Sequence, residues 1–567
     1  MGVPSLFKTI INKFPRTHYW REDVLSERLY FDFNCLIHHC KAHLDPSVIR
    51  NMTTRELDEE LISEVIRYTV YITTEVIKPS YLVHIAIDGP VPYAKMIRQR
   101  ERRYKKIQDD VYTSKLAQKY GMTKEKSFDS NKITPGTSFM SKLCARIKVY
   151  IGLGAFSKHI EQSVKGRSNF RVIFSDSSIP GEGEAKIMKH IKDSGPKRSP
   201  KSTVIYGLDG DLIILSMLLD RPDVKLLRES EHIAELNEES SFLFLDMDFC
   251  KESLIKEYRL ESFNAHNIIQ DFCALTLLGG NDFVEPLINT RIRERGLQRL
   301  INSYTNVLHS GIGHLVKNKT LDLAFLMKVI FYLGKNVDTF VKHRNAESNA
   351  RPLRDDHKDE YESALSNYFH TSYKNENNPM HQEYIEHFDR INYNKSYDTW
   401  SSQYYSHFFP SDTTKGEICD SYWKSVQWTW NYYINSEVPS WSSAYKYRVA
   451  PLPKDIIECG CAEATDFEVG KPNSPLEQLM IVLPPQNCSM LPKLISEIIY
   501  DDKSLVMDMY PRTIELDVLK GGKNIYSDPI LPEVDMSKIH TILRHIPITE
   551  YEANRNVIRV QEYSRKF

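Results

Sequence analysis

The chain has 567 residues, 41% hydrophobic and 26% charged, which allows two to four domains and a sizeable core. With 74 basic and 75 acidic residues the formal net charge is −1, so a nucleic-acid partner has to be argued from local clusters, not from overall charge. No apolar run reaches the roughly 18 residues of a membrane span, and the N-terminal residues lack a signal-peptide core or a myristoylation pattern. The nine cysteines are scattered and form no CxxC pair, which predicts reduced thiols in an intracellular protein, not a zinc site or a disulfide framework.

Along residues 1–340, strand-like and helix-like patterns alternate. Four short apolar runs end in a carboxylate: Leu29-Tyr30-Phe31-Asp32, Val83 to Asp88, Val172 to Asp176 and Val204 to Asp209. Amphipathic helices are predicted from Leu61, before the Val83 run, and from Ala185, after Glu184. Strand then helix, repeated, predicts an α/β fold with a mostly parallel sheet whose carboxylates gather at its C-terminal edge, where such sheets bind ligands. Residues 341–415 are rich in Asn, Asp, His, Ser and Tyr and read as a polar linker or insertion. Residues 416–567 are aromatic and Pro-bearing, and read as a mixed helix-and-loop segment packed on the core.

Further acids stand where strands give way to helices: Glu182 and Glu184 around Gly183, Asp209 and Asp211 around Gly210, and Asp282 after Gly280-Asn281. Each has an ordinary explanation alone, as a helix cap or a turn residue. Together Asp32, Asp88, Glu182, Glu184, Asp209, Asp211 and Asp282 exceed what one divalent ion needs. They predict a site for two Mg²⁺ ions, with Mn²⁺ as a substitute, used in phosphoryl-transfer chemistry.

Seven of the twelve residues at 95–106 are basic. Helical spacing puts Lys95, Gln99, Arg102, Arg103 and Lys106 on one face, and Arg98, Glu101 and Lys105 on another. The first face is suited to a terminal phosphate. His38, Trp428 and Trp441 are candidates for stacking on bases, against the commoner role of core packing.

These motifs resemble the Xrn/Rat-type 5′→3′ exoribonucleases. The resemblance is carried by Met1 to Phe7, Asp32-Phe33-Asn34, Asp88-Gly89, Ala94-Lys95-Met96, Ile133-Thr134-Pro135-Gly136-Thr137, Ile179 to Glu184, Tyr206 to Leu212, Leu278 to Phe283, and the later Trp428, Tyr432-Tyr433 and Pro439-Ser440-Trp441. It implies a PIN-like/flap-nuclease core, Mg²⁺ dependence and processive release of nucleoside 5′-monophosphates from 5′-monophosphorylated single-stranded RNA, as in mRNA decay. It implies that all seven carboxylates are metal-site acids and that Lys95, Gln99, Arg102 and Arg103 hold the 5′ phosphate. His38 and either Trp428 or Trp441 would stack bases, and Gly2, Val3 and Pro4 would block duplexes. A functional link to a decapping enzyme and a cytoplasmic setting, with the nucleus left open, follow from the same resemblance. Departures are Gly210, where the family usually has Ala, and the altered aromatic run Ser442 to Tyr447. The alternatives are a structure-specific DNA flap nuclease and a catalytically inert RNA-binding scaffold.

Overall fold

The structure is a computed structural model that describes residues 6–14, 17–20, 24–122, 127–154, 170–194, 202–230, 241–347, 359–388, 390–460 and 463–567. The carboxylate-ended runs are strands. In chain order the large sheet uses His18–Trp20 (β1), Arg28–Asp32 (β2), Leu82–Ala86 (β3), Arg171–Ser175 (β4), Thr203–Tyr206 (β5), Val224–Glu229 (β6), Phe242–Asp246 (β7) and the C-terminal Tyr563–Lys566. Their spatial order is β1-β7-β6-β5-β2-β3-β4 and then the C-terminal strand. The five strands β6, β5, β2, β3 and β4 run parallel, and β7, β1 and the C-terminal strand add antiparallel edges. This is the expected α/β fold with a mostly parallel sheet.

Every residue of β2 and β3 is buried. Alternate side chains point to opposite faces, so Leu29, Phe31, Val83 and Ile85 enter one core, while Tyr30, Leu82 and Ala86 enter another. The register sets Asp32 beside Ala86 and Phe31 beside Tyr206. Asp88 and Asp209 therefore overshoot their strands onto the same edge as Asp32. The helix Gly183–Asp193 begins at that edge, and the 27-residue helix Tyr93–Lys119 leaves it carrying the basic run.

The later part of the chain is more helical than its composition suggests. Lys415–Asn435 is one 21-residue helix, started by a reciprocal Thr414–Glu417 capping box. It buries Trp423, Trp428, Trp430, Tyr432 and Tyr433, and Trp428, Tyr432 and Tyr433 lie against Phe283 beside the sheet edge. Within 341–415, Glu360–His370, His381–Phe388 and Tyr397–Phe408 are helices that bury aromatic side chains, among them Tyr368 and Trp400, in place of aliphatic ones. No described helix is long and apolar enough to cross a membrane. The described cysteines are free thiols.

Candidate active site

The seven predicted carboxylates meet at the C-terminal edge of the sheet. Asp32, Glu182, Glu184, Asp211 and Asp282 are buried, and Asp88 and Asp209 are partly so. Two glycines permit the crowding. A Cβ at Gly183 would stand 3.1 Å from Asp32 Oδ1 and 2.9 Å from the Ala86 carbonyl oxygen, and one at Gly207 would collide with Leu212 at 2.2 Å. The Gly183 N–H donates to Asp88 Oδ1 at 2.7 Å, and the Asn34 amide donates to Asp88 Oδ2 at 3.0 Å. The Cys35 thiol donates to Asp32 Oδ2 at 2.9 Å, and the Tyr432 hydroxyl donates to Glu182 Oε1 at 3.0 Å. The Tyr433 hydroxyl lies near Asp211, and burial and that carboxylate push its pKa well up.

Charge is poorly balanced here. Burial, then Asp88 and Asp209, raise the Asp32 pKa to about 8. Burial and Asp282 raise Asp211 to about 7, and burial with Glu182 and Asp211 pushes Glu184 well up. Among the described residues, the counter-charge deepest in the cluster is Lys95, whose ammonium lies 2.5 Å from Glu182 Oε2 and 2.6 Å from Asp282 Oδ2. Burial opposes its charge, yet Asp282 and Glu182 hold its pKa well above normal. Burial likewise opposes the charge on Asp282, but Lys95 and Arg102 keep its pKa low. Among the described residues, no three His, Cys, Asp or Glu side chains are close enough together to hold a metal ion as they stand. The donors nonetheless fit hard divalent cations: they are carboxylate oxygens, and Glu184 Oε2 is buried without a hydrogen-bond partner.

The basic helix divides as its periodicity predicts, with one change. Arg98 pairs with Glu101 at 2.7 Å, and Lys105 with Asp109 at 2.5 Å, away from the acids. Lys95, expected on the phosphate face, sits inside the carboxylate cluster, because it lies about two helical turns before Arg102 and nearer the sheet edge. Arg102 reaches Asp282 at 3.4 Å, and Gln99 accepts from Gln478 at 3.2 Å. Lys106 is exposed, 3.5 Å from Asp110. Arg103 donates from Nη2 to Thr134 Oγ1 at 2.7 Å, while its Nη1 is buried with no acceptor. Burial and the neighbouring Arg102 lower its pKa, so it is a cation short of an anion.

His38 is exposed on the helix that follows Asp32. Desolvation, then Lys41, lower its pKa to about 4, with Asp209 opposing and Arg103 and Arg102 adding, so the ring is neutral and feels both the acids and the arginines. The two tryptophans differ. Trp428 is 2% exposed, donates its indole N–H to Ser440 at 3.0 Å and packs 5.0 Å from Phe283. Its faces are covered, which corrects its candidacy as a base platform. Trp441 is half-buried, and its carbonyl accepts from Tyr93 at the start of the basic helix at 3.0 Å. Gly2, Val3 and Pro4 lie outside the described residues.

Asp176, the fourth strand-end acid, turns away: it caps Ser178 at 2.8 Å and pairs with Lys148. The groups that sequence reasoning missed are Cys35, Lys95 as an internal counter-ion, and the Tyr432 and Tyr433 hydroxyls. The aromatic pair Tyr432-Tyr433 was visible, but nothing in it indicated contact with acids far off in sequence.

The fold and edge define an α/β protein of PIN-like plan with a carboxylate cluster beside a basic helix. Residues 1–230 match the family described as "XRN 5′-3′ exonuclease N-terminus", and residues 262–398 and 369–563 match "Xrn1 helical domain". The chain belongs to this XRN exonuclease family, which is in general dependent on divalent metal ions. It is 26% identical to 5′-3′ exoribonuclease 1 of Saccharomyces cerevisiae, over 92% of this chain and 42% of that protein. Identity to 5′-3′ exoribonuclease 1 of Homo sapiens is also 26%, over 95% of this chain and 34% of that protein. With 5′-3′ exoribonuclease 2 of Gallus gallus it is 26%, over 98% and 71%. The chain therefore spans less than half the length of the first two.

Proposed function

We propose that this protein is a metal-dependent, processive 5′→3′ exoribonuclease that takes 5′-monophosphorylated single-stranded RNA and releases nucleoside 5′-monophosphates. The observation that carries this reading is the buried, acceptor-free Nη1 of Arg103 beside a seven-carboxylate cluster. An under-compensated guanidinium next to a cation-hungry acid group suits one phosphate in the pocket and the next at the acids.

Asp32, Asp88, Glu182, Glu184, Asp209, Asp211 and Asp282 would hold two Mg²⁺ ions, or Mn²⁺ in their place. Bound ions would lower the pKa of a water and offset charge at phosphorus. The rest is done by this chain's own residues. Gln99, Arg102 and Arg103 fix the 5′ phosphate, and size and charge reject capped or triphosphate ends. Lys95 balances Glu182 and Asp282 and lies on the helix that carries the phosphate-binding groups. His38 and Trp441 stack the leading bases. Asn34, Tyr432 and the Gly183 N–H hold Asp88 and Glu182 in place. We assign residues 1–340 to the catalytic unit, 341–415 to an insertion and 416–567 to the segment that covers the site. RNA decay in the cytoplasm, fed by a decapping enzyme, is the setting this chemistry suits.

The test is digestion of one 3′-labelled RNA bearing monophosphate, triphosphate or hydroxyl at its 5′ end. Rapid loss of the monophosphate RNA alone is expected. Internal fragments would point to an endonuclease, and binding without cutting to an inert scaffold.

A further inference from the structure

The segment that follows the Asp282 loop builds a second charged region. Arg291 and Arg293 belong to the turn around Ile292–Glu294, Arg295 follows it, and Arg299 lies in the first turns of the helix Gly296–Leu308. Arg344, from the helix Val337–Glu347, and Lys374, from a later loop, face the same region. Their shared acid is Glu294. Arg291 and Arg293 each stand 3.9 Å from its Oε1, and Arg344 stands 3.5 Å from its Oε2. Three long contacts to one carboxylate leave most of the positive charge unbalanced. Of the other nearby acids, Asp528 is engaged by Lys520 at 2.5 Å, and Glu285 is taken by Arg98 and Lys520.

The cations feel each other. Burial and Arg291 lower the pKa of Arg293, burial with Arg344 and Arg295 lowers that of Arg299, and burial with Arg344 lowers Lys374 to about 8. Aromatic rings steady the guanidinium planes. Arg293 lies 3.3 Å over the Tyr526 ring, and Arg299 lies 4.2 Å over Phe340. Tyr526 is 43% exposed and its neighbour Ile525 is 48% exposed. The region is joined to the active site by one layer of residues: Arg291 donates to the Lys520 carbonyl at 3.5 Å, and Lys520 reaches Glu285, three residues beyond Asp282, at 3.3 Å.

We propose that Arg291, Arg293, Arg295, Arg344, Lys374 and Tyr526 form a second contact site for single-stranded RNA, gripping its phosphodiester backbone outside the pocket that holds the 5′ end. This rests on the exoribonuclease reading above. The cations are distributed over a turn, two helices and a loop, which fits a string of phosphates better than one phosphate. An exposed tyrosine among arginines is the pairing that sequence-tolerant single-strand binders use.

The experiment is fluorescence anisotropy across a salt series, with the full chain carrying Asp209→Ala to prevent cutting and 5′-monophosphate RNAs of three and twenty nucleotides. The variant combines Arg291→Gln, Arg293→Gln and Arg295→Gly. Arg295 has φ +60°, so glycine suits its backbone. We expect the long RNA to bind about tenfold or more weaker and its log–log salt slope to shrink by about 2, at about 0.7 per lost phosphate contact on single strands. The short RNA should bind as before. Tyr526→Ala, with every charge kept, should weaken only the long RNA, by about fivefold or more. Equal weakening of both RNAs, or of neither, overturns the proposal and leaves the surface to an acidic protein. Digestion by the unmutated chain is measured alongside. If it digests RNA while the variant binds normally, only the second site fails. If it neither binds nor digests RNA, the functional reading fails with it.

Discussion

The carboxylate edge and the arginine turn are mirror images in charge, and in both the counter-charge falls short. They are built differently. The acids stand at the ends of parallel strands, where sheet register forces Asp32, Asp88 and Asp209 together. Their repulsion is relieved internally by Lys95. The cations come from segments as far apart as residues 291 and 374, and Arg291, Arg293 and Arg344 share one carboxylate at long distance. A buried like-charge cluster must hold its own counter-ion to fold, whereas a surface cluster can wait for its ligand.

The largest way to break that contrast is Lys95→Met. Removing one partner of a buried ion pair costs about 3–5 kcal/mol, so the metal-free variant should melt well below the unmutated protein, with Mg²⁺ restoring part of the loss. Equal melting temperatures without metal would mean that Lys95 is not the internal counter-ion. Removing one cation from the arginine region, Arg295→Gly, should leave the melting temperature unchanged or raise it, because it relieves like-charge repulsion at a backbone with φ +60°.

Next in size are the groups that hold the acids. Tyr432→Phe and Asn34→Ala remove hydrogen bonds to Glu182 and Asp88. Partners of this kind typically alter metal affinity or activity by about 10–100-fold, so the Mg²⁺ concentration for half-maximal activity should rise. An unchanged requirement would show that the carboxylates hold their positions unaided.

Arg103→Ala should cost about 1.5–3 kcal/mol of preference for a 5′-monophosphate over a 5′-hydroxyl, the usual worth of a charged hydrogen bond. Competition between the two RNAs measures it. Unchanged preference would place the end pocket elsewhere.

The same charge account sets a pH dependence. Asp32 and Asp211 carry folded-state pKa values raised to about 8 and about 7, against about 4 in an unfolded chain. The folded state therefore holds more protons. The stability these groups contribute is complete below about pH 4 and is lost as pH rises toward 8. The metal-free melting temperature should fall between pH 6 and 8.5, and the gap between Mg²⁺ and EDTA should widen. A gap constant across that range would contradict the charge account.

The carboxylate edge is legible because a strand's end is marked by its own residues: mostly apolar runs of three to five followed by an acid. The basic helix was legible from its 3.6-residue period. What escaped has a common physical cause, which is depth. Periodicity puts Lys95 and Arg102 on one face but not at one depth, so Lys95 was expected beside the phosphate and lies among the acids. Trp428 and Trp441 look alike in sequence, and only the packing of Phe283 tells which is covered. The arginine turn, the antiparallel C-terminal strand and the aromatic-cored helices of 341–415 arise from contacts between distant segments, which no local pattern records.

In the proposed function, the acids and the arginine pocket act on one RNA end. The most direct measurement is Mg²⁺-dependent digestion of a single-stranded RNA carrying monophosphate, triphosphate or hydroxyl at its 5′ end, with Asp209→Ala as control. The account predicts stepwise loss of the monophosphate RNA alone, reduced by at least about 10²–10³-fold in the variant. Equal cutting of all three ends, or full activity in Asp209→Ala, would contradict it.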